Sequence, residues 1–167
     1  MFAVIAAGAA LLVLTGLAKL RRPEPAGRAL RAVGLPAAGR ALGLTEVCLG
    51  GAGLISTTRP VLAVIALTYL AFAGFVIVAR RPGSGIASCG CAGQVDAPPT
   101  WTHAALDIGI AGAVLAAVFR PPSPVWANLG QPSGVIGGLL AAVLCALLWL
   151  AVTALPRLTA RQALLRG

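Results

Sequence analysis

Five runs of about twenty apolar residues constrain this chain more than anything else in it. They cover residues 2–20, 38–58, 61–79, 101–119 and 134–155, and each is closed by charge, proline or glycine. A helix of about twenty residues rises roughly 30 Å, the thickness of a bilayer's hydrocarbon core. In lipid the backbone must satisfy its own hydrogen bonds, and a helix does so within one segment. Water is excluded as the solvent on composition. The chain is 59% hydrophobic and only 10% charged, where soluble domains carry roughly a quarter charged residues. The expected fold is therefore an all-α integral membrane protein.

The net charge of +9 would suit nucleic acid, but its placement argues otherwise. Basic residues gather at the ends of apolar runs, with no aromatic-interleaved basic surface, so the charge sets topology and nucleic acid is not an expected partner. Five crossings put Lys19, Arg21, Arg22, Arg28, Arg31, Arg40, Arg80, Arg81, Arg157, Arg161 and Arg166 on one side, eleven of the thirteen Lys and Arg residues. Arg59 and Arg120 lie on the other. The positive-inside rule then predicts a plasma-membrane protein with its N-terminus outside and its C-terminus inside. The loop holding Cys89-Gly90-Cys91 would face the cytoplasm. The first run is long for a signal h-region and lacks a positive n-region, so it is expected to be a retained helix.

Between the first two runs, Ala29, Leu30, Val33 and Leu35 suggest a short interfacial helix with Arg28 and Arg31 toward headgroups, broken by Gly34 and Pro36. Small residues recur at helical spacing, as in Gly43, Gly50 and Gly53, and let helices approach closely in lipid. The organisation read from these features is a four-helix domain over 1–119, a Pro-rich loop over 120–133, a fifth transmembrane helix over 134–156 and a basic tail over 157–167.

Cys89-Gly90-Cys91 is the sharpest chemical feature. Two thiols one residue apart can close a disulfide, and Gly90 eases the tight ring. So short a loop removes little chain entropy, which makes the bond a poor staple. Strained, exposed disulfides tend to be the exchanging ones, and Arg80 and Arg81 would favour thiolates nearby. Against this stands the reading of two incidental loop cysteines. A zinc site lacks ligands, His103 being the sole histidine, so no metal is expected.

Glu46 and Asp107 lie inside apolar runs, where ionisable groups are costly and usually paired. Lys19 is the preferred partner of Glu46; the alternative is that Lys19 snorkels to the headgroups. Asp107 is expected either to cap its helix or to pair with His103 at i−4. His103 is either an interface residue beside Trp101 or a proton donor and acceptor to the thiols. With five crossings, Lys19, Glu46, Cys89, Cys91, His103 and Asp107 fall toward one membrane face, Cys48 lies slightly deeper, and Cys145 needs no role.

In its motifs the chain resembles the MauE/DoxX-like membrane proteins. Gly16-Leu17-Ala18-Lys19-Leu20 looks like that family's Gly-x-x-Lys-Leu, and Glu46 matches its acidic residue in the second span. Cys89-Gly90-Cys91-Ala92-Gly93 is similar to the Cys-x-Cys-Phe-Gly of the MauE branch, with Ala92 where Phe is usual and Trp101 and Asp107 following. The resemblance covers about residues 1–119 and implies a four-helix membrane bundle, to which the fifth helix is an addition. It implies a part in methylamine utilisation: processing, transport or disulfide maturation of the methylamine dehydrogenase small subunit, alongside a thioredoxin-like partner. Maturing an exported subunit suggests thiols outside, whereas the charge count places them inside and takes precedence for topology.

Two functions from different classes follow. One is a membrane thiol–disulfide oxidoreductase or relay, with Cys89 and Cys91 exchanging, His103 as acid–base, and Lys19, Glu46 and Asp107 as intramembrane polar supports. A quinone would suit such a relay as acceptor, though no motif specifies one. The other is a non-enzymatic membrane subunit or chaperone for a redox partner. A transporter is disfavoured because no inverted repeat is visible.

Overall fold

The computed structural model describes residues 2–82, 84, 86, 90, 98–124, 127 and 130–154. These form six α-helices: α1 Phe2–Arg21, α2 Glu24–Ala32, α3 Gly39–Ile55, α4 Arg59–Ala79, α5 Trp101–Phe119 and α6 Pro132–Thr153. Four of them, α1, α4, α5 and α6, are long and apolar enough to cross a membrane. Helix α3 is shorter, at 17 residues, than the run of apolar residues that encodes it. Ser56 turns extended (φ −139°, ψ 127°) and ends α3. The Thr57 hydroxyl then donates to the Pro122 carbonyl, tying this end to the turn after α5.

Proline sets the starts of two of the membrane-length helices. Pro60 and Pro132 lie in the first turns of α4 and α6, where the missing N–H costs nothing and the fixed φ suits a helix. Arg59-Pro60 is thus the beginning of α4.

Glycine sets the packing of α1 on α3. A Cβ at Gly16 would stand 2.6 Å from the Gly43 carbonyl oxygen, and one at Gly50 would stand 2.5 Å from that of Ala9. Gly16 opposite Gly43 and Ala9 opposite Gly50 make the two helices antiparallel, with backbones in direct contact. Among the long helices, α1 is the most enclosed. Leu12 of α1, Leu62, Ile65 and Tyr69 of α4, and Val114 of α5 form the core. Tyr69 donates to the Gly8 carbonyl at 2.7 Å, which pins α4 to α1.

Helix α6 lies beside α1 in parallel, with Gly137 over Phe2, and buries the least surface of the four membrane-length helices. Its outer face (Leu139, Leu140, Val143, Leu147, Leu150) is exposed. So are Val64 and Leu67 of α4 and Leu115 and Phe119 of α5. Large apolar side chains on every outer surface are what a lipid-immersed bundle requires.

Helix α2 is the amphipathic element expected in the first loop, beginning earlier, at Glu24. Pro25, Ala26, Gly27 and Ala29 are buried while Arg28 and Arg31 are exposed. Gly34, at φ +79°, reverses the chain after it.

Candidate functional site

The C-terminal ends of α1, α4 and α6 and the N-terminal ends of α3 and α5 meet at one end of the bundle. Helix α2 lies across this end. The polar residues of the apolar runs collect here.

Lys19 and Glu46 face each other across the glycine contact of α1 and α3. Lys19 Nζ donates to Glu46 Oε2 at 2.7 Å. Lys19 is 3% exposed and Glu46 1%, so Lys19 does not reach out to the headgroups. Thr15, one turn earlier on α1, adds a hydroxyl 3.1 Å from the same oxygen. The ammonium also stands 5.7 Å from the centre of the Phe72 ring, within cation–π range. Among the described residues Glu46 Oε1 has no hydrogen-bond partner. A buried carboxylate with one oxygen uncompensated lowers the net value of the pair.

His103 is 4% exposed and bridges two helices. Its Nε2 stands 3.1 Å from the Val152 carbonyl of α6. A carbonyl only accepts, so Nε2 carries the proton and Nδ1 is the acceptor. Nδ1 receives the Thr100 N–H at 3.4 Å and lies 3.0 Å from its hydroxyl, which makes His103 part of the capping box that starts α5. Its ring nitrogens are engaged by Thr100 and Val152, not by Asp107, one turn further along α5.

Arg80 is occupied at the same end. Its guanidinium stacks 5.0 Å from the Trp101 ring and donates to the Pro99 carbonyl at 2.9 Å. These contacts draw the end of α4 to the start of α5.

Cys89 and Cys91 lie outside the described residues; the glycine between them does not. Gly90 is buried, with φ +61°, and its backbone rests on the first turn of α2. A Cβ here would stand 2.6 Å from the Ala26 nitrogen and 2.7 Å from the Pro25 carbonyl carbon. Glycine is thus required twice, for its dihedral and for its closeness to another backbone. Cys48 is exposed on α3, and Cys145 of α6 is buried; both are free thiols.

Beneath α2 lies a cavity of about 240 Å³. Ala26 and Ala29 line it from the roof and Phe72 and Phe75 from α4, and Lys19, His103 and Asp107 are also among its lining residues. Sequence reasoning reached Lys19, Glu46, His103 and Asp107 through the cost of charge in lipid. It missed Thr15, Phe72 and the roofing role of α2. The apolar face of α2 was its only trace in the sequence.

A helical bundle with four membrane-length helices, lipid-facing apolar surfaces and an ion pair sealed inside it defines a multi-pass membrane protein. The chain belongs to the MauE family: the model of methylamine utilisation protein MauE matches residues 1–120. The match ends one residue after α5, so α6 lies beyond it. No curated protein and no solved structure matches the chain.

Proposed function

We propose that this protein is a membrane thiol–disulfide relay, with Cys89 and Cys91 as its exchanging pair. The observation that carries the reading is Gly90. The residue between the two cysteines is held in a left-handed conformation against the first turn of α2, the helix whose Ala26 and Ala29 line a cavity together with Lys19, His103 and Asp107. Membership of the MauE family supports it, with a thioredoxin-like protein as the exchanging partner.

The exchange conserves electrons. A thiolate of the partner attacks one sulfur of the Cys89–Cys91 disulfide, and that S–S bond breaks as a mixed disulfide forms. The partner's second thiolate resolves it, leaving the partner oxidised and Cys89 and Cys91 as thiols. In this reading α3 also crosses the membrane, its lipid-facing length completed by the extended residues after Ile55. The N-terminus is then outside and the Cys-Gly-Cys loop cytoplasmic, from the bias of basic residues toward the cavity end.

The test is mixed-disulfide trapping in cells with Cys91→Ser and Cys89→Ser variants. One of the two should accumulate a covalent adduct that reductant releases, and its partner should be a thiol-redox protein. No adduct from either variant would reject the relay. The second reading, a non-enzymatic membrane subunit, is favoured by one feature: the bonds of His103 to Thr100 and Val152 serve helix capping and packing.

A further inference from the structure

We propose that the cavity beneath α2 holds one acyl chain of an anionic phospholipid, whose phosphate is bound by the exposed arginines at that end of the bundle.

The cavity is bordered mainly by carbon. Ala26, Ala29 and Leu30 of α2, Leu42 of α3, and Phe72 and Phe75 of α4 line it. Lys19 and His103 line it too, but their nitrogens are engaged by Glu46, Thr100 and Val152. Water gains little in such a space, because it needs several polar partners. An empty void forfeits the dispersion contacts of the atoms around it. A hydrocarbon chain restores those contacts and asks for no hydrogen bond. An apolar cavity of about 150 Å³ holds a benzene molecule. In proportion, one of about 240 Å³ takes roughly eight methylene carbons, about half of an ordinary acyl chain.

The cavity reaches the lipid-facing surface. Ala71 of α4 and Leu35, just beyond α2, line it and are exposed. Ala71 shares the outer strip of α4 with Leu67 and Leu70, which are exposed as well. Near the loop that joins α3 to α4, Gly53 packs against Ile65; toward α2, Leu42 and Phe75 of the same two helices border the cavity instead. A chain can therefore enter sideways from the bilayer.

Charge selects the headgroup. Arg21, Arg22, Arg28, Arg31 and Arg40 are exposed at this end, and among the described residues none of them forms an ion pair. Arg28 and Arg31 belong to the roofing helix itself, and Arg40 stands two residues before Leu42. A guanidinium fork matches the oxygens of a phosphate. A glycerol headgroup leaves that phosphate's negative charge uncancelled, whereas a choline headgroup brings its own cation. An amphipathic helix with arginine on its outer face lies at headgroup depth, so one lipid can set its phosphate beside α2 and its chain beneath it. The chain then braces the turn of α2 on which Gly90 rests.

The full chain in detergent is titrated with phosphatidylglycerol or with phosphatidylcholine of the same acyl chains, and retained lipid is counted by native mass spectrometry. One phosphatidylglycerol should be held, about tenfold or more tighter than phosphatidylcholine. Leu30→Trp, which fills the cavity from its roof, should weaken retention about tenfold, and Ala29→Leu should weaken it in the same direction. Leu54→Trp, in the separate groove between α1 and α6, should leave it unchanged. Arg28→Gln with Arg31→Gln should lower phosphatidylglycerol to the level of phosphatidylcholine, while Arg59→Gln with Arg120→Gln, at the other end, should not. Should Leu30→Trp fail to fold, Ala29→Leu and the arginine pairs decide. Retention that climbs past one lipid without saturating would overturn the inference. So would equal affinity for the two lipids, or equal effects of Leu30→Trp and Leu54→Trp. The relay is untouched by either result, since no cysteine takes part.

Discussion

Replacing Glu46 by Leu leaves the Lys19 ammonium inside the bundle without its carboxylate. Both residues are almost wholly buried and 2.7 Å apart. Removing one partner of a buried pair typically costs about 3–5 kcal/mol, because the remaining charge keeps its desolvation penalty. Loss of the Thr15 hydrogen bond adds about 1 kcal/mol. Lys19→Met should cost a similar amount by stranding the carboxylate. The double variant Lys19→Met/Glu46→Leu strands neither charge. Glu46 Oε1 lacks a partner among the described residues, so the native pair is incompletely compensated, and the double variant should lose only about 1–2 kcal/mol. The coupling in a double-mutant cycle is then about 5 kcal/mol or more, on the order of several thousandfold in the unfolding equilibrium. Reversible unfolding in mixed detergent micelles, followed by helical circular dichroism, measures it. Losses that add to within about 0.5 kcal/mol would refute the argument, since uncoupled charges each carry their own cost.

Gly50→Ala should destabilise by about 1–3 kcal/mol, because its Cβ meets the Ala9 carbonyl. Gly74→Ala, with nothing within 4 Å, should be neutral or gain up to about 1 kcal/mol of helix propensity; the same micelle unfolding compares them. Tyr69→Phe keeps the edge-to-face contact with Phe72 but loses the bond to Gly8, and should cost about 1 kcal/mol by that measurement. After mild reduction, and with Cys48 and Cys145 changed to Ser, Cys89 and Cys91 should resist a membrane-impermeant thiol reagent in intact cells and react after lysis; strong labelling of intact cells would reverse the topology. The Cys89–Cys91 couple should titrate well above the region below about −300 mV where structural disulfides lie, read by alkylation and mass spectrometry of the purified protein.

Much of this architecture is written locally in the chain. Apolar runs about as long as a bilayer is thick become helices because lipid offers the backbone no other partner, and Pro60 and Pro132 mark where two of them start. The Lys19–Glu46 pair was legible for the same reason: two opposite charges near one membrane face, on helices joined by one loop, cost least when they meet. Glycines at Gly43 and Gly50 announced close packing without naming their partners. What the sequence could not disclose depends on distances between segments far apart in it. Thr15 also stands 3.2 Å from the Leu12 carbonyl of its own helix, so nothing local says its hydroxyl turns to Glu46. Tyr69 reaches Gly8 across 61 residues, and His103 reaches Val152 across 49. The amphipathic face of α2 fits a membrane surface as well as a bundle end; only the packed structure lays it over the cavity, with Gly90 seated on its first turn. Helix formation in lipid is a local demand that each segment meets alone, whereas the cavity exists only where five helix ends and a roof converge.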